Sequence, residues 1–382
     1  ITPMDNDAAW NSIVNHYGLI DSLEIAARKR GIALNDEDID ALVEQGKRWA
    51  QRILQESIEQ ATTTIDFDDQ LYMPLYARIP IDQYDWVLVD EAQDSNPTRR
   101  ALAAAMLRSG GRFIAVGDPA QAIYGFTGAD SESLENIEQE FGCISLSLTV
   151  SYRCPKRVVE VAQRWVSHIE AADDAPDGMY TGAEYHEMLD AVAGTPINAL
   201  QNQAVLCRKN APLVDLAFML IRSHIPCHVE GRDIGAQIKN LVKRWKTNDL
   251  AALRSRIDAH KQREVAKLIQ LRQEARADVT ADRCDTATSL IDGLLAEGKR
   301  DVRDLFDLCD RLFGDNVRGG LTLSSIHKAK GREWKTVYWL GAGAYQPSPF
   351  AKQEWQMRQE FNLMYVAATR AQETLVSVAA NA

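Results

Sequence analysis

The sequence predicts two α/β lobes accompanied by helical segments, and three observations carry that expectation. Two short apolar runs, Trp86-Val87-Leu88-Val89 and Phe113-Ile114-Ala115-Val116, flank a helix-compatible stretch, and each ends in acidic residues, Asp90-Glu91 in the first case and Asp118 after Gly117 in the second. Strand, helix and strand within about 30 residues form a right-handed crossover, so both strands run in the same direction and their carboxyl ends share one sheet edge. The same grammar returns across residues 204–229, and further apolar runs follow at 321–323, 337–340 and 375–378. With 382 residues, 46% of them hydrophobic, the chain has room for two or three domains, each with its own core.

Taken in order, residues 1–65 read as helices. The clearest starts near Asn35-Asp36-Glu37-Asp38, where a cap residue and an acidic first turn precede Ile39, Leu42, Val43, Trp49, Ile53, Leu54 and Ile58 at helical spacing, a stripe expected to be core. The run at Trp86 is unbroken rather than alternating, as for a strand buried on both faces of a parallel sheet. Ser95 or Asn96 can cap the next helix, Pro97 suits its first turn, and Gly110-Gly111 is expected to stop it. Residues 236–315 are strand-poor and helical in character. From Lys239 to Arg276 there are eleven Lys or Arg against four Asp or Glu, an excess of seven positive charges. Such a run is ordinarily a solvated helical face, with a nucleic-acid contact as the alternative.

Composition narrows the function class. A net charge of −11, from 43 basic and 54 acidic residues, argues against a uniformly basic nucleic-acid coat and against tight docking on an anionic membrane. There is neither an apolar window long enough to span a bilayer nor a signal-peptide pattern, so an intracellular, cytoplasmic protein is expected. Six dispersed cysteines without a Cys-x-x-Cys pair point to reduced, mostly buried thiols.

The chemistry concentrates where the first two runs end. Hydrolysis of a magnesium nucleotide needs one carboxylate to hold the metal and another to orient and deprotonate water. Asp90 and Glu91, leaving a buried strand at a sharp exit, suit that division, although paired acids also occur as plain loop or cap residues. The loop after Gly117-Asp118 mixes a polar sensor candidate, Gln121, with Tyr124 and Phe126 among glycines. Such aromatics either pin a loop to the core or stack single-stranded bases, the latter at about 1–3 kcal/mol per base.

These two phrases, Val89-Asp90-Glu91-Ala92-Gln93-Asp94 and residues 117–129, resemble motifs II and III of the UvrD/Rep-like superfamily 1 helicases. Ser151-Tyr152-Arg153 is similar to motif IV, residues 325–334 to motif V and residues 365–371 to motif VI, in the family's order. The resemblance implies two RecA-like P-loop NTPase lobes with helical insertions, ATP and Mg2+ as cofactors, and single-stranded DNA or a single/double-strand junction as partner. It further implies Asp90 as metal ligand, with Glu91, Gln121, Arg153 and Arg370 serving hydrolysis. Tyr152, Gly331 and Glu333 would hold nucleotide, and Tyr124, Phe126, Ser325, His327 and Lys330 would meet DNA. The domains expected are 1–65, a helical segment in or beside the first lobe; 66–142, the remainder of that lobe; 143–235 with 316–382, the second lobe; and 236–315, a small accessory insertion and possible protein contact.

Two departures from the family pattern stand out. Phe126 occupies a position that is commonly Trp, and the phosphate-binding pattern Gly-x-x-x-x-Gly-Lys-[Ser/Thr] is absent from the sequence. The chain is therefore expected to be the carboxy-terminal part of a nucleoid-associated motor for DNA repair or replication, its first lobe incomplete and the fragment alone inactive. The competing reading is an ATPase-dead module that binds single-stranded DNA or protein.

Overall fold

The computed structural model describes residues 6, 7, 9, 10, 36–124, 132–243, 245, 247–271, 273–313 and 319–380. The chain divides into two compact units, Ile1–Leu146 with Lys267–Gln273, and Ser147–Ala266 with Glu274–Ala382.

In the first unit, helix α1 (Asp36–Gln60) follows the predicted period, but its stripe is not core among the described residues. Ile39 is buried, whereas Trp49 and Ile53 are 62% and 69% exposed. Periodicity identifies the apolar side of a helix and not what covers it. A capping box opens α2 (Phe67–Tyr76), with the Asp69 amide donating to Asp66 at 2.8 Å and the Asp66 amide to Asp69 at 3.0 Å.

Strand β1 (Tyr84–Val89), helix α3 (Pro97–Met106) and strand β2 (Leu107–Ala115) form the crossover, with the strands parallel and Leu88 beside Ile114. Asn96 caps α3 by accepting from the Arg99 amide at 2.9 Å, and Pro97 is its first residue. The helix does not run on to the glycines. It ends at Met106, β2 begins at once with Leu107, and Gly110-Gly111 lies inside the strand. Nor is β1 buried on both faces. Only Val87 is buried, while Trp86, Leu88, Ile114 and Val116 leave the opposite face exposed, Leu88 by 69%. The physical reason is that the described sheet has two strands and helices on one side only: α3 and α4 (Ser133–Phe141) pack there, with the Phe113 and Phe141 rings stacked at 3.8 Å.

The second unit starts with the short pair β3 (Val150–Ser151) and β4 (Glu170–Ala171), separated by α5 (Lys156–Ala162). Next come β5 (Met179–Ala183), α6 (Tyr185–Ala193), α7 (Ile197–Leu200), β6 (Gln203–Cys207), α8 (Ala211–Arg222) and β7 (Cys227–Val229). Helices α9 (Arg232–Lys243), α10 (Leu250–Gln270), α11 (Glu274–Ala296) and α12 (Val302–Leu312) precede β8 (Leu321–Ser325), α13 (Ile326–Ala329), β9 (Trp334–Leu340), α14 (Glu354–Ala368) and β10 (Ala371–Val378). The six longer strands pair in parallel in the order β5-β10-β9-β6-β8-β7. The apolar runs form its centre, β6 and β8 being buried along almost their whole length.

Helix α11 packs on α8 so closely that a Cβ at Gly293 would lie 2.5 Å from the Phe218 ring. Helices α9 to α12 share one core with the sheet, Ile238, Leu250, Leu290 and Leu305 belonging to the same buried cluster as Val205 of β6 and Leu323 of β8. Several cations of the basic stretch are matched within the helices, Lys239 by Asp310, Arg254 by Asp258 and Asp292, and Lys261 by Asp285. Among the described residues no helix is long and apolar enough to cross a membrane.

Candidate functional site

In the first unit the carboxyl ends of β1 and β2 carry the acidic phrases to one edge, because parallel pairing puts Val89 opposite Ala115. The chain leaves β1 through Glu91 in a left-handed conformation, φ 49°, which a non-glycine residue adopts at a cost. That turn separates the two carboxylates. Asp90 is exposed and its Oδ1 accepts from the Glu91 amide at 2.8 Å, while Glu91 Oε2 accepts from Gln93 Nε2 at 2.6 Å. Gln93 Oε1 in turn accepts from the Asp118 amide at 3.0 Å. Asp118 accepts from the Ala120 amide at 2.9 Å and from Gln121 Nε2 at 2.7 Å.

Glu91 and Gln121 are thus joined in one hydrogen-bonded chain. Tyr124 is half-buried three residues on, and burial, then the charges of Asp94 and Glu91, push its phenol above the usual tyrosine range. Phe126 lies outside the described residues. A cavity of about 270 Å³ opens beside Asp90, Glu91 and Asp94, with Arg99 and Arg100 on its wall. Magnesium bound with nucleotide phosphates takes one or two protein carboxylates and completes its shell with phosphate oxygens and water. Asp90 fits that role, and among the described residues no group of three or more His, Cys, Asp or Glu forms a metal cage.

In the second unit another cluster gathers where β9 and β10 begin. Arg153 Nε meets Glu333 at 2.8 Å, and Glu333 also accepts from Gln372 at 2.7 Å. Tyr152, beside Arg153, is 87% exposed, leaving its ring open for stacking. Arg370, which follows α14, is buried and donates to the carbonyls of Val366 at 3.0 Å and Arg332 at 3.3 Å and to Thr369 Oγ1 at 3.0 Å. Burial, then the neighbouring Arg153 charge, hold its guanidinium below the usual arginine range. Gly331 takes φ +79°, shaping the turn into β9.

Ser325 is buried at the carboxyl end of β8, His327 follows in α13, and Lys330 is half-buried just after that helix. Burial, then the charge of Arg208, push the His327 imidazole down to about 3, so it is neutral at ordinary pH. Arg208 belongs to a network that sequence reasoning missed. Its guanidinium donates to Glu360 of α14 at 3.0 and 2.8 Å and to Asp278 of α11 at 2.7 Å, and Glu360 also accepts from the Ser348 amide at 2.9 Å. The signal was present: Arg208 directly follows an apolar run, as Asp90 does. Gln93 was likewise passed over, although it lies inside the acidic phrase itself.

Comparison with known proteins supplies the context. Residues 44–142 match the family described as UvrD/REP helicase N-terminal domain, and residues 233–381 that described as UvrD-like helicase C-terminal domain. The chain is 25% identical over 406 residues to the ATP-dependent DNA helicase UvrD2 of Mycobacterium tuberculosis, covering 91% of this chain and 55% of that protein. It is 25% identical over 194 residues to the ATP-dependent DNA helicase PcrA of Staphylococcus epidermidis, covering 44% and 26% respectively. With the ATP-dependent DNA helicase Rep of Escherichia coli the identity is 32% over 112 residues, or 27% of this chain and 17% of that one. The matched region spans about half or less of the length of these relatives.

Proposed function

On the premise that this chain belongs to the UvrD/Rep-like helicase family, we propose that it is part of an ATP-dependent motor that moves along single-stranded DNA or opens a single/double-strand junction. The observation that carries this reading is the hydrogen-bonded chain from Glu91 to Gln121, which ties a water-activating carboxylate to a nucleotide-sensing amide on one sheet edge. Mg2+, when bound with ATP, would screen phosphate charge, and Asp90 is the carboxylate that would hold it. Glu91 would orient water and accept its proton. Arg153 and Arg370 would neutralise charge developing on the γ-phosphoryl oxygens, a contribution worth about 10³–10⁵ in rate for an arginine finger. Arg370 must exchange its present carbonyl partners to do so. Tyr152 would stack on adenine, with Glu333 and Gly331 beside it. Tyr124, Phe126, Ser325, His327 and Lys330 would contact the strand, and residues 236–315 would serve as the accessory insertion.

The phosphate-binding loop would come from a segment outside this chain. Support lies in the described sheet itself, which has only two strands, β1 and β2, and leaves Trp86, Leu88 and Ile114 exposed. Two strands alone are marginal in water, and a further strand would complete such a sheet.

The test is ATP hydrolysis with and without single-stranded DNA by a protein carrying both this chain and a phosphate-binding loop. Glu91→Gln should abolish DNA-stimulated hydrolysis and leave nucleotide binding in place. Hydrolysis at near the unmodified rate would overturn the assignment of Glu91.

A further inference from the structure

We propose that Gln93 is a positioning residue that locks Glu91 and the Asp118–Gln121 turn into one register, so that a change at either is felt at the other. Its importance to the motor rests on the reading of Glu91 as the catalytic base. Its existence as a coupling element does not.

Four features point to it. First, Gln93 is 3% exposed, yet both ends of its amide are engaged, Nε2 by the Glu91 carboxylate and Oε1 by the Asp118 amide. A carboxylate only accepts and a backbone N–H only donates, so the orientation is dictated, since flipping the amide would oppose two acceptors and two donors. Second, the two loops are packed to the limit around it. A Cβ at Gly117 would lie 2.5 Å from Gln93 Oε1 and 3.0 Å from its backbone nitrogen, so only glycine allows the approach. Third, Glu91 sits at positive φ, a conformation that persists only where its surroundings over-determine it. The bond from Gln93 is one such restraint. Fourth, Asp118 passes the connection on through Gln121 Nε2 to the turn that leads into Tyr124.

No other residue type reproduces this. Glutamate at position 93 would keep an acceptor for the Asp118 amide but face Glu91 with like charge. Leucine would fill space and break both bonds.

The test is a mutant cycle on the full 382-residue chain without nucleotide or DNA, read by hydrogen exchange at the Asp118 amide. Gln93→Leu should speed that exchange about 5-fold, the equivalent of one hydrogen bond. Glu91→Gln should alter Asp118 exchange about 2-fold or more in the native background and markedly less in the Gln93→Leu background, because the coupling runs through the amide. Exchange of the Val87 and Phe113 amides should remain as in the unsubstituted chain. An equal effect of Glu91→Gln in both backgrounds would overturn the proposal, as would loss of Val87 and Phe113 protection in Gln93→Leu, which would mark Gln93 as core support only. Hydrolysis plays no part in this measurement, so a failure of Glu91 as base leaves it standing, and the reverse also holds.

Discussion

Glu360→Ala should be among the costliest single substitutions in the second unit. The side chain is 4% exposed and accepts three hydrogen bonds, two from Arg208 and one from the Ser348 amide. Removing it leaves a buried guanidinium with Asp278 as its remaining carboxylate and strands the Ser348 N–H. Losing one partner of a buried ion pair costs about 3–5 kcal/mol. Retention of Asp278 lowers that figure, and an unsatisfied buried N–H adds about 1–3 kcal/mol. A net loss of about 3–5 kcal/mol corresponds to roughly 6–20 °C in Tm for a unit of some 200 residues. The assay is hydrogen exchange of the buried Val205 and Leu206 amides in β6, supported by thermal melting. Replacing the whole cluster, with Arg208→Met, Asp278→Leu and Glu360→Leu together, should recover much of the loss, since buried ion networks often give way to apolar packing without penalty. A cost below about 1 kcal/mol for Glu360→Ala would refute the claim that this network bears on the stability of the second unit.

Two further outcomes follow from the same environments. The second unit should lose stability as pH falls below about 6.5, because the unfolded chain then protonates His327 while the folded imidazole, held down to about 3, does not. The loss from this group reaches about 2 kcal/mol at pH 5, and urea titrations at pH 8 and pH 5 should show it, with His327→Asn removing that part of the difference. Thiol labelling of the native protein should proceed first at the partly exposed Cys143, since burial pushes the thiols of Cys207, Cys227 and Cys309 up to about 12. Cys143→Ser should abolish the fast phase, and persistence of that phase would contradict the burial assignments.

The two units were unequally legible, for a physical reason. Unbroken apolar runs such as Ala204-Val205-Leu206-Cys207 became the central strands of a sheet that is covered on both sides, so the pattern and the environment agree. The run at Trp86 has the same pattern without the same cover, so Leu88, read as core, stands in solvent. Short strands at the margin, β3, β4 and β5, escaped because half-exposed segments lack a continuous apolar signature. Gly110-Gly111 misled because glycine marks a helix stop and a strand irregularity alike, and only the helix end at Met106 separates the two.

Side-chain networks were harder to foresee than elements, and the difference is instructive. Parallel pairing of β1 and β2 was enough to bring Asp90, Glu91 and Asp118 to one edge, because it is a matter of strand direction. The hydrogen bond that joins them depends on Gln93 turning inward beneath a residue at positive φ, and no periodicity encodes that turn. Arg208, Asp278 and Glu360 are separated by 70 residues or more in sequence, and they meet because α11 packs on α8 and α14 passes the carboxyl end of β6. A helix within 236–315 thus supplies one of the two carboxylates that hold Arg208, the cation that, after burial, keeps His327 neutral. Three cations of the basic excess that first drew attention to this region, Lys239, Arg254 and Lys261, are paired with acids within the helices. The region's tie to the proposed DNA-contact segment runs through an acid, Asp278, which accepts from Arg208 at 2.7 Å.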